Sequence, residues 1–127
     1  MKFSRRVFML AAVYGVLALL PMYFQESMVA RMQPPAITHA EYYYGFIGVA
    51  LAWQWAFVLI ARDPLRHRTM MMPATLEKLA FGIGALALYL QHRLSLLMLG
   101  AGGIDLLFAA LFIGSYWRTR EGARVQR

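Results

Sequence analysis

Residues 42–61 read YYYGFIGVALAWQWAFVLIA, an uncharged run of twenty residues that stops at Arg62-Asp63-Pro64. An α-helix needs about 20 mostly apolar residues to cross the hydrocarbon core of a bilayer. The run has that length, and its one amide, Gln54, stands near its middle. Hydrocarbon offers backbone groups no water, so a spanning segment is either a helix or one strand of a closed barrel. The polar and apolar positions do not alternate with period two, which selects the helix.

Three further runs are of the same kind: residues 7–24, 73–90 and 96–117. Gln33, Pro34 and Pro35 break the chain between the first and second. Asp63-Pro64 ends the second, because a residue before proline is pushed out of the helical region. Pro73 falls in the first turn of the third, where its missing N–H is harmless. Only residues 91–95 separate the third from the fourth, which predicts an antiparallel hairpin. The expected fold is all-α: one integral-membrane domain over residues 1–127, built as a four-helix bundle. Composition agrees, at 61% hydrophobic and 15% charged, against about 45–50% and about 25% in soluble domains. So short a chain also buries too little of its surface to hide that much apolar material from water.

Orientation follows from counting Lys and Arg on each side. Lys2, Arg5, Arg6, Arg62, Arg66, Arg68, Lys78, Arg118, Arg120, Arg124 and Arg127 fall on one side, and only Arg31 and Arg93 on the other. Positive loops stay in the cytoplasm, so both termini and the 62–72 loop are expected there, in the cell (inner) membrane. Ser4-Arg5-Arg6-Val7-Phe8-Met9 is similar to a twin-arginine export signal, but the apolar run is long for a signal and no A-x-A site follows it. The first span is expected to be retained. The net charge of +7 is held in short clusters between apolar runs, without the interleaved aromatics of a nucleic-acid surface. No nucleic-acid partner is expected. The basic edge suits anionic lipid, at about 1 kcal/mol per residue, with Arg62, Arg66 and Arg68 holding the middle loop to the headgroups.

Helices gain little by burying apolar surface against each other in lipid, so small residues four apart mark close contacts. Such stripes are Ala11 and Gly15; Gly48, Ala52 and Ala56; Ala80 and Gly84; Ala110 and Gly114. They predict one smooth face per helix and either a tight bundle or a homo-oligomer. Tyr42, Tyr43, Tyr44 and Tyr89 near one boundary, with Tyr116 and Trp117 near the other, read as interfacial anchors.

Few polar residues lie inside the spans. Asp105 stands about 20 Å from Arg118 along a helix, where a carboxylate costs at least about 2.5 kcal/mol. Gly100-Ala101-Gly102-Gly103 precedes it. It reads as a proton- or solute-handling site beside a loosened helix, or as a structural carboxyl satisfied by Tyr14 or Gln54. A helix beginning late would instead put it at an N-terminus. Glu77 and Lys78 read as an interfacial pair, with Lys78 snorkelling to the cytoplasm and Glu77 bridging to Arg62, Arg66 or Arg68. Gln54 needs a partner across a helix interface or a polar ligand.

The chain has no cysteine, which removes thiol chemistry. Glu26, His39, Glu41 and His92 share the outer side without metal-site spacing, and no metal or cofactor is expected. No nucleophile–base–orienter set or phosphate-cradling loop is visible. The leading expectation is a non-enzymatic accessory or interaction subunit of a membrane complex. The alternatives are a small-solute or proton-linked transporter centred on Asp105, and a membrane enzyme or redox-associated subunit acting on a quinone-like or lipid substrate. The small multidrug transporters have a buried glutamate in their first span; residues 7–24 contain no acidic residue.

Tyr44-Gly45-Phe46-Ile47-Gly48 through Leu59-Ile60-Ala61-Arg62, with the loop and hairpin that follow, resembles the small four-helix bacterial inner-membrane proteins of the DoxX-like kind. The resemblance covers about the middle half of the chain and implies an inner-membrane accessory or redox-associated subunit. It carries no catalytic residue onto any position here.

Reporter fusions after Ala61 and at the C-terminus are expected to be active only in the cytoplasmic format. Activity of either fusion outside the cell would reverse the orientation.

Overall fold

A computed structural model describes residues 1–125; Arg127, counted above among the basic residues, lies outside them. The described chain is helical and contains no strand. Its elements are α1 (Lys2–Leu19), α2 (Glu26–Met32), α3 (Ala40–Arg62), α4 (Met71–Leu90), α5 (Leu96–Arg118) and α6 (Arg120–Val125). A 3-10 segment, Leu20–Phe24, prolongs α1, and another, Arg68–Met70, leads into α4. Four helices, the extended α1, α3, the extended α4 and α5 with α6, are long and apolar enough to cross a membrane. The four apolar runs, 7–24, 42–61, 73–90 and 96–117, each fall inside one of these helices. The short helices α2 and α6 were not foreseen, since neither shows apolar periodicity over enough turns.

Chain order makes two antiparallel hairpins. α1 packs along α3, and α4 along α5, while α1 also touches α5; α3 and α4 barely meet. The α4–α5 turn is closed by a Schellman arrangement: His92 N–H bonds Tyr89 O (3.0 Å) and Arg93 N–H bonds Leu88 O (2.8 Å). His92 takes the left-handed position at φ 59°, where glycine is usual. Ser95 caps α5 by accepting from Met98 N–H (3.3 Å) and donates to Gln33 Oε1 (3.2 Å). That second bond links the two hairpins.

The core sits at the end of the molecule that carries the termini. Phe8 and Phe112 stack at 4.1 Å, Phe57 meets Phe112 edge-on at 5.1 Å, and Phe108 lies 6.2 Å from Phe112. Ala11, Ala12, Ile60, Met71 and Ala74 surround this cluster from α1, α3 and α4. Towards the other end a smaller cluster of Leu19, Ile47 and Ala50, with Met22, Tyr43, Tyr44 and Leu51 against it, closes α1 on α3. Arg68 fastens the terminal end. Its Nε and Nη2 donate to Tyr116 O (3.2 and 2.8 Å), Nε also reaches Thr119 Oγ1 (3.1 Å), and its guanidinium lies 3.8 Å over the Tyr116 ring. Tyr116 O, near the end of α5 where helix carbonyls lack backbone partners, accepts from Arg68 as well as from Thr119 Oγ1 (3.1 Å).

The small-residue stripes are only partly where they were expected. Ala11 and Gly15 are buried, and Ala56 is half-buried, but Ala52, Ala80 and Ala110 are exposed. Gly84 has no neighbour within 4 Å of a built Cβ, Gly48 meets only the Tyr23 hydroxyl and Gly114 only a Phe3 ring carbon. The close α4–α5 contact uses Gly82, Ala85 and Gly102 instead. A Cβ on Gly102 would fall 2.6 Å from that of Ala85, and one on Gly82 would fall 2.6 Å from Leu106 Cδ2 and 3.0 Å from Gly102 O. Spacing does not determine phase: in a helix apolar all round, small residues occur on several faces, and neighbours decide which face is used.

This difference is testable by thermal unfolding in detergent. Gly102→Val should destabilise the fold by about 1–3 kcal/mol, the usual cost of overpacking. Gly100→Ala and Gly103→Ala, which meet nothing within 4 Å, should be neutral or stabilising through helix propensity. Equal effects at all three positions would contradict the contact.

Candidate functional site

Lys78 lies seven residues into α4, about 10 Å along its axis, and is 3% exposed. A lone ammonium at that depth would be strongly unfavourable, because an unpaired charge in a low-dielectric interior keeps most of its desolvation penalty. The hairpin supplies the counter-charge. Lys78 Nζ donates to Asp105 Oδ1 at 3.3 Å and stands 3.9 Å from Glu77 Oε2. Below it, the Phe57 and Phe108 rings lie 5.3 and 5.6 Å from Nζ. One cation is thus held between two carboxylates, with the aromatic cluster as its floor.

The environment is polar but incompletely satisfied. Gln54 Nε2 donates to Ala50 O one turn back along α3 (2.8 Å). Gly15 makes room for this side chain: a Cβ there would collide with Gln54 Oε1 and Cδ. Glu77 Oε2 and Gln54 Oε1 are buried and have no hydrogen-bond partner among the described residues. Such atoms ordinarily do have partners. Glu77 and Gln54 line one cavity of about 150 Å³ together with Tyr14, Lys78, Asp105 and Phe81. Leu19, Met22 and Met98 carry that cavity towards the end away from the termini.

A larger groove, about 670 Å³, runs between α3 and α4 where the hairpins part. Val49, Trp53, Leu76 and Ala80 give it an apolar wall, and Glu41 and Tyr42 stand at one end. Groove and cavity have Phe46, Ala50, Glu77 and Phe81 in common. Phe46 and Phe81 stack across the gap at 5.7 Å. A pair of rings, with Glu77 beside it, therefore stands between a sideways-open apolar groove and a mostly apolar chamber that holds Gln54, Lys78 and Asp105.

Asp105, Gln54 and Tyr14, singled out from sequence, do line one cavity. Asp105 is paired by Lys78, however, and not by Tyr14 or Gln54. The expected interfacial cluster divides. Glu77 and Lys78 are inside, and no ion pair joins Glu77 to Arg62, Arg66 or Arg68 among the described residues. Arg62 and Arg66 are exposed, the Arg66 N–H bonding Asp63 Oδ1 (3.2 Å), and Arg68 serves α5. The reason is that the Arg68–Met70 turn starts α4 before Pro73, which carries Lys78 a turn deeper than its distance from Pro73 suggests. A usable signal existed: Lys78 and Asp105 stand at nearly equal distances from the hairpin turn, as Gly82 and Gly102 do. Phe46 and Phe81 gave no comparable signal, since aromatic residues occur throughout the spans.

On the other side, Tyr43 donates to Met22 O (2.6 Å) and Tyr44 to Glu26 Oε2 (2.7 Å), fixing the extension of α1, while His39 pairs with Glu41 at 3.2 Å. No three His, Asp or Glu side chains among the described residues come together as a metal site. No family model matches the chain, and no curated protein or solved structure matches it at a significant level.

Lys78→Met should destabilise the protein by about 3–5 kcal/mol, as removal of one member of a buried pair does, because it leaves two carboxylates facing each other. Glu77→Gln/Lys78→Met/Asp105→Leu should recover most of that loss in the same detergent unfolding assay. A Lys78→Met variant as stable as the parent would mean that the ammonium is not buried.

Proposed function

We propose that this chain is a multi-pass protein of the cell (inner) membrane, a four-helix bundle with both termini in the cytoplasm. It binds a lipid-soluble molecule whose polar head donates hydrogen bonds. The head sits against Glu77, Gln54 and Asp105, and the tail lies between α3 and α4. One observation carries the reading: the chamber with unsatisfied acceptors and the groove open to the side share Glu77, Phe46 and Phe81.

Size and charge favour this class of ligand. Small-molecule sites are typically about 300–1,000 Å³, mostly apolar, with a few placed polar groups, and the groove is about 670 Å³. Two carboxylates against one ammonium favour a cationic or neutral donor head over an anionic one. The phenylalanine cluster closes the terminal side, while the chamber extends towards Met22 and Met98. With the termini in the cytoplasm, as the basic residues argue, the site is reached from the outer half of the bilayer. Of the two alternatives drawn from sequence, solute handling at Asp105 and action on a lipid-like substrate, this reading keeps the residue from the first and the ligand class from the second.

An accessory role in a larger complex is favoured by a different observation. Ala52 on α3, Ala110 on α5 and, on α4, Ala80 are exposed and Gly84 has open space around it, small positions at which another helix can approach closely.

Trp53 lines the groove and supplies the test. In a Trp55→Phe/Trp117→Phe background reconstituted in nanodiscs, 12-bromododecylamine should quench Trp53 fluorescence saturably. Glu77→Gln should weaken that binding about tenfold, equivalent to about 1.4 kcal/mol, and 12-bromododecanoate should bind no better than it partitions. Linear quenching unaffected by Glu77→Gln would overturn ligand binding. A stoichiometric membrane partner copurifying in mild detergent, with quenching abolished in the complex, would favour the accessory role.

A further inference from the structure

A second site lies where α5 and α6 meet the connection before α4, and it uses residues that play no part in the buried chamber. Arg68, Tyr116, Trp117, Arg120, Ala123 and Arg124 line a concavity of about 340 Å³. Three of the six are arginines, no carboxylate is among them, and none of the three arginines has an ion-pair partner among the described residues. Three guanidinium groups thus share one concavity with no carboxylate in its lining, which favours an anion there.

The arginines are arranged rather than merely clustered. Arg68 is anchored through Nε and Nη2 to Tyr116 O and Thr119 Oγ1 and stacked on the Tyr116 ring. Its Nη1 is left without a hydrogen-bond partner among the described residues. Arg120 lies over the Trp117 ring, with its guanidinium carbon 5.9 Å from the centroid. Arg124 follows one turn later on α6. A planar guanidinium presents a fixed fork of donors that matches phosphate oxygens, and a fork already held by stacking loses less freedom on binding.

Depth identifies the source of the phosphate. Trp117 is 61% exposed at the end of the last apolar helix, where an indole with one polar edge settles at the headgroup level. We infer that Arg68, Arg120 and Arg124 form a binding site for the phosphate of an anionic phospholipid headgroup. The sequence assigned anionic lipid to Arg62, Arg66 and Arg68 through charge alone; this site depends on geometry and recruits α6.

The distinction between charge and geometry makes the inference testable. Native mass spectrometry of the full chain in detergent would be titrated with dioleoyl phosphatidic acid and, separately, with dioleoyl phosphatidylcholine. One phosphatidic acid should bind in strong preference to phosphatidylcholine. Arg120→Lys/Arg124→Lys keeps every charge and leaves the Arg68 anchor intact, and should weaken that binding at least tenfold, whereas Arg62→Lys/Arg66→Lys should not change it. Millimolar inorganic phosphate should fail to displace the lipid. Equal binding by the two double variants would reduce the site to net charge and overturn it. Displacement by inorganic phosphate at matching affinity would overturn the lipid assignment in favour of a free-phosphate site.

Discussion

The buried chamber of this molecule is organised by one ammonium that has no water to turn to. Lys78 Nζ sits inside a helical hairpin, 3.3 Å from Asp105 and 3.9 Å from Glu77. In hydrocarbon that charge cannot be left alone, and the second carboxylate leaves the set with one negative charge in excess if all three groups are ionised. A proton on one carboxyl, or a bound donor, removes that excess. The orphaned acceptors on Glu77 and Gln54 point to the same side of the account.

The packing keeps that site rigid from below and accessible from elsewhere. Phenylalanines from α1, α3 and α5 close the terminal half with ring contacts between 4.1 and 6.2 Å. The other half is held by Leu19, Ile47 and Ala50 and by the Ser95–Gln33 bond. The groove between α3 and α4 and the chamber beside Lys78 have Phe46 and Phe81 in common, and these two rings stack at 5.7 Å. At the terminal end, Arg68, Arg120 and Arg124 stand around Trp117 and Tyr116 where α5 meets α6. A bound headgroup there would hold α5, and with it Asp105, at a defined level.

Much of this was legible beforehand, and the limits are instructive. The four apolar helices followed from run length, and their ends from prolines and the short 91–95 link. Asp105, Gln54 and Tyr14 were marked because polar groups in lipid demand partners, and they do share a cavity. Lys78 was misjudged because a lysine can reach water along its own stem, so a sequence position within two turns of a boundary fits either a snorkelling or a buried side chain. Of the small-residue stripes, Ala52, Ala80 and Ala110 stay exposed while Gly82, Ala85 and Gly102 make the close α4–α5 contact, because the spans are apolar on every side and the hydrophobic pattern carries almost no phase.

The sequence by itself therefore determined the medium, the number of long apolar helices and their limits, since these depend only on how many uncharged residues occur in a row. What only the tertiary structure decided is which faces meet. It paired Lys78 with Asp105 rather than with solvent, put Gly82 against Gly102 rather than Gly84 against a neighbour, and left α3 and α4 apart. The physical reason is that membrane helices pack by close steric fit and polar pairing, not by hiding apolar surface from water. Those contacts join different helices, and the apolar pattern within each helix carries no phase to record which face is used.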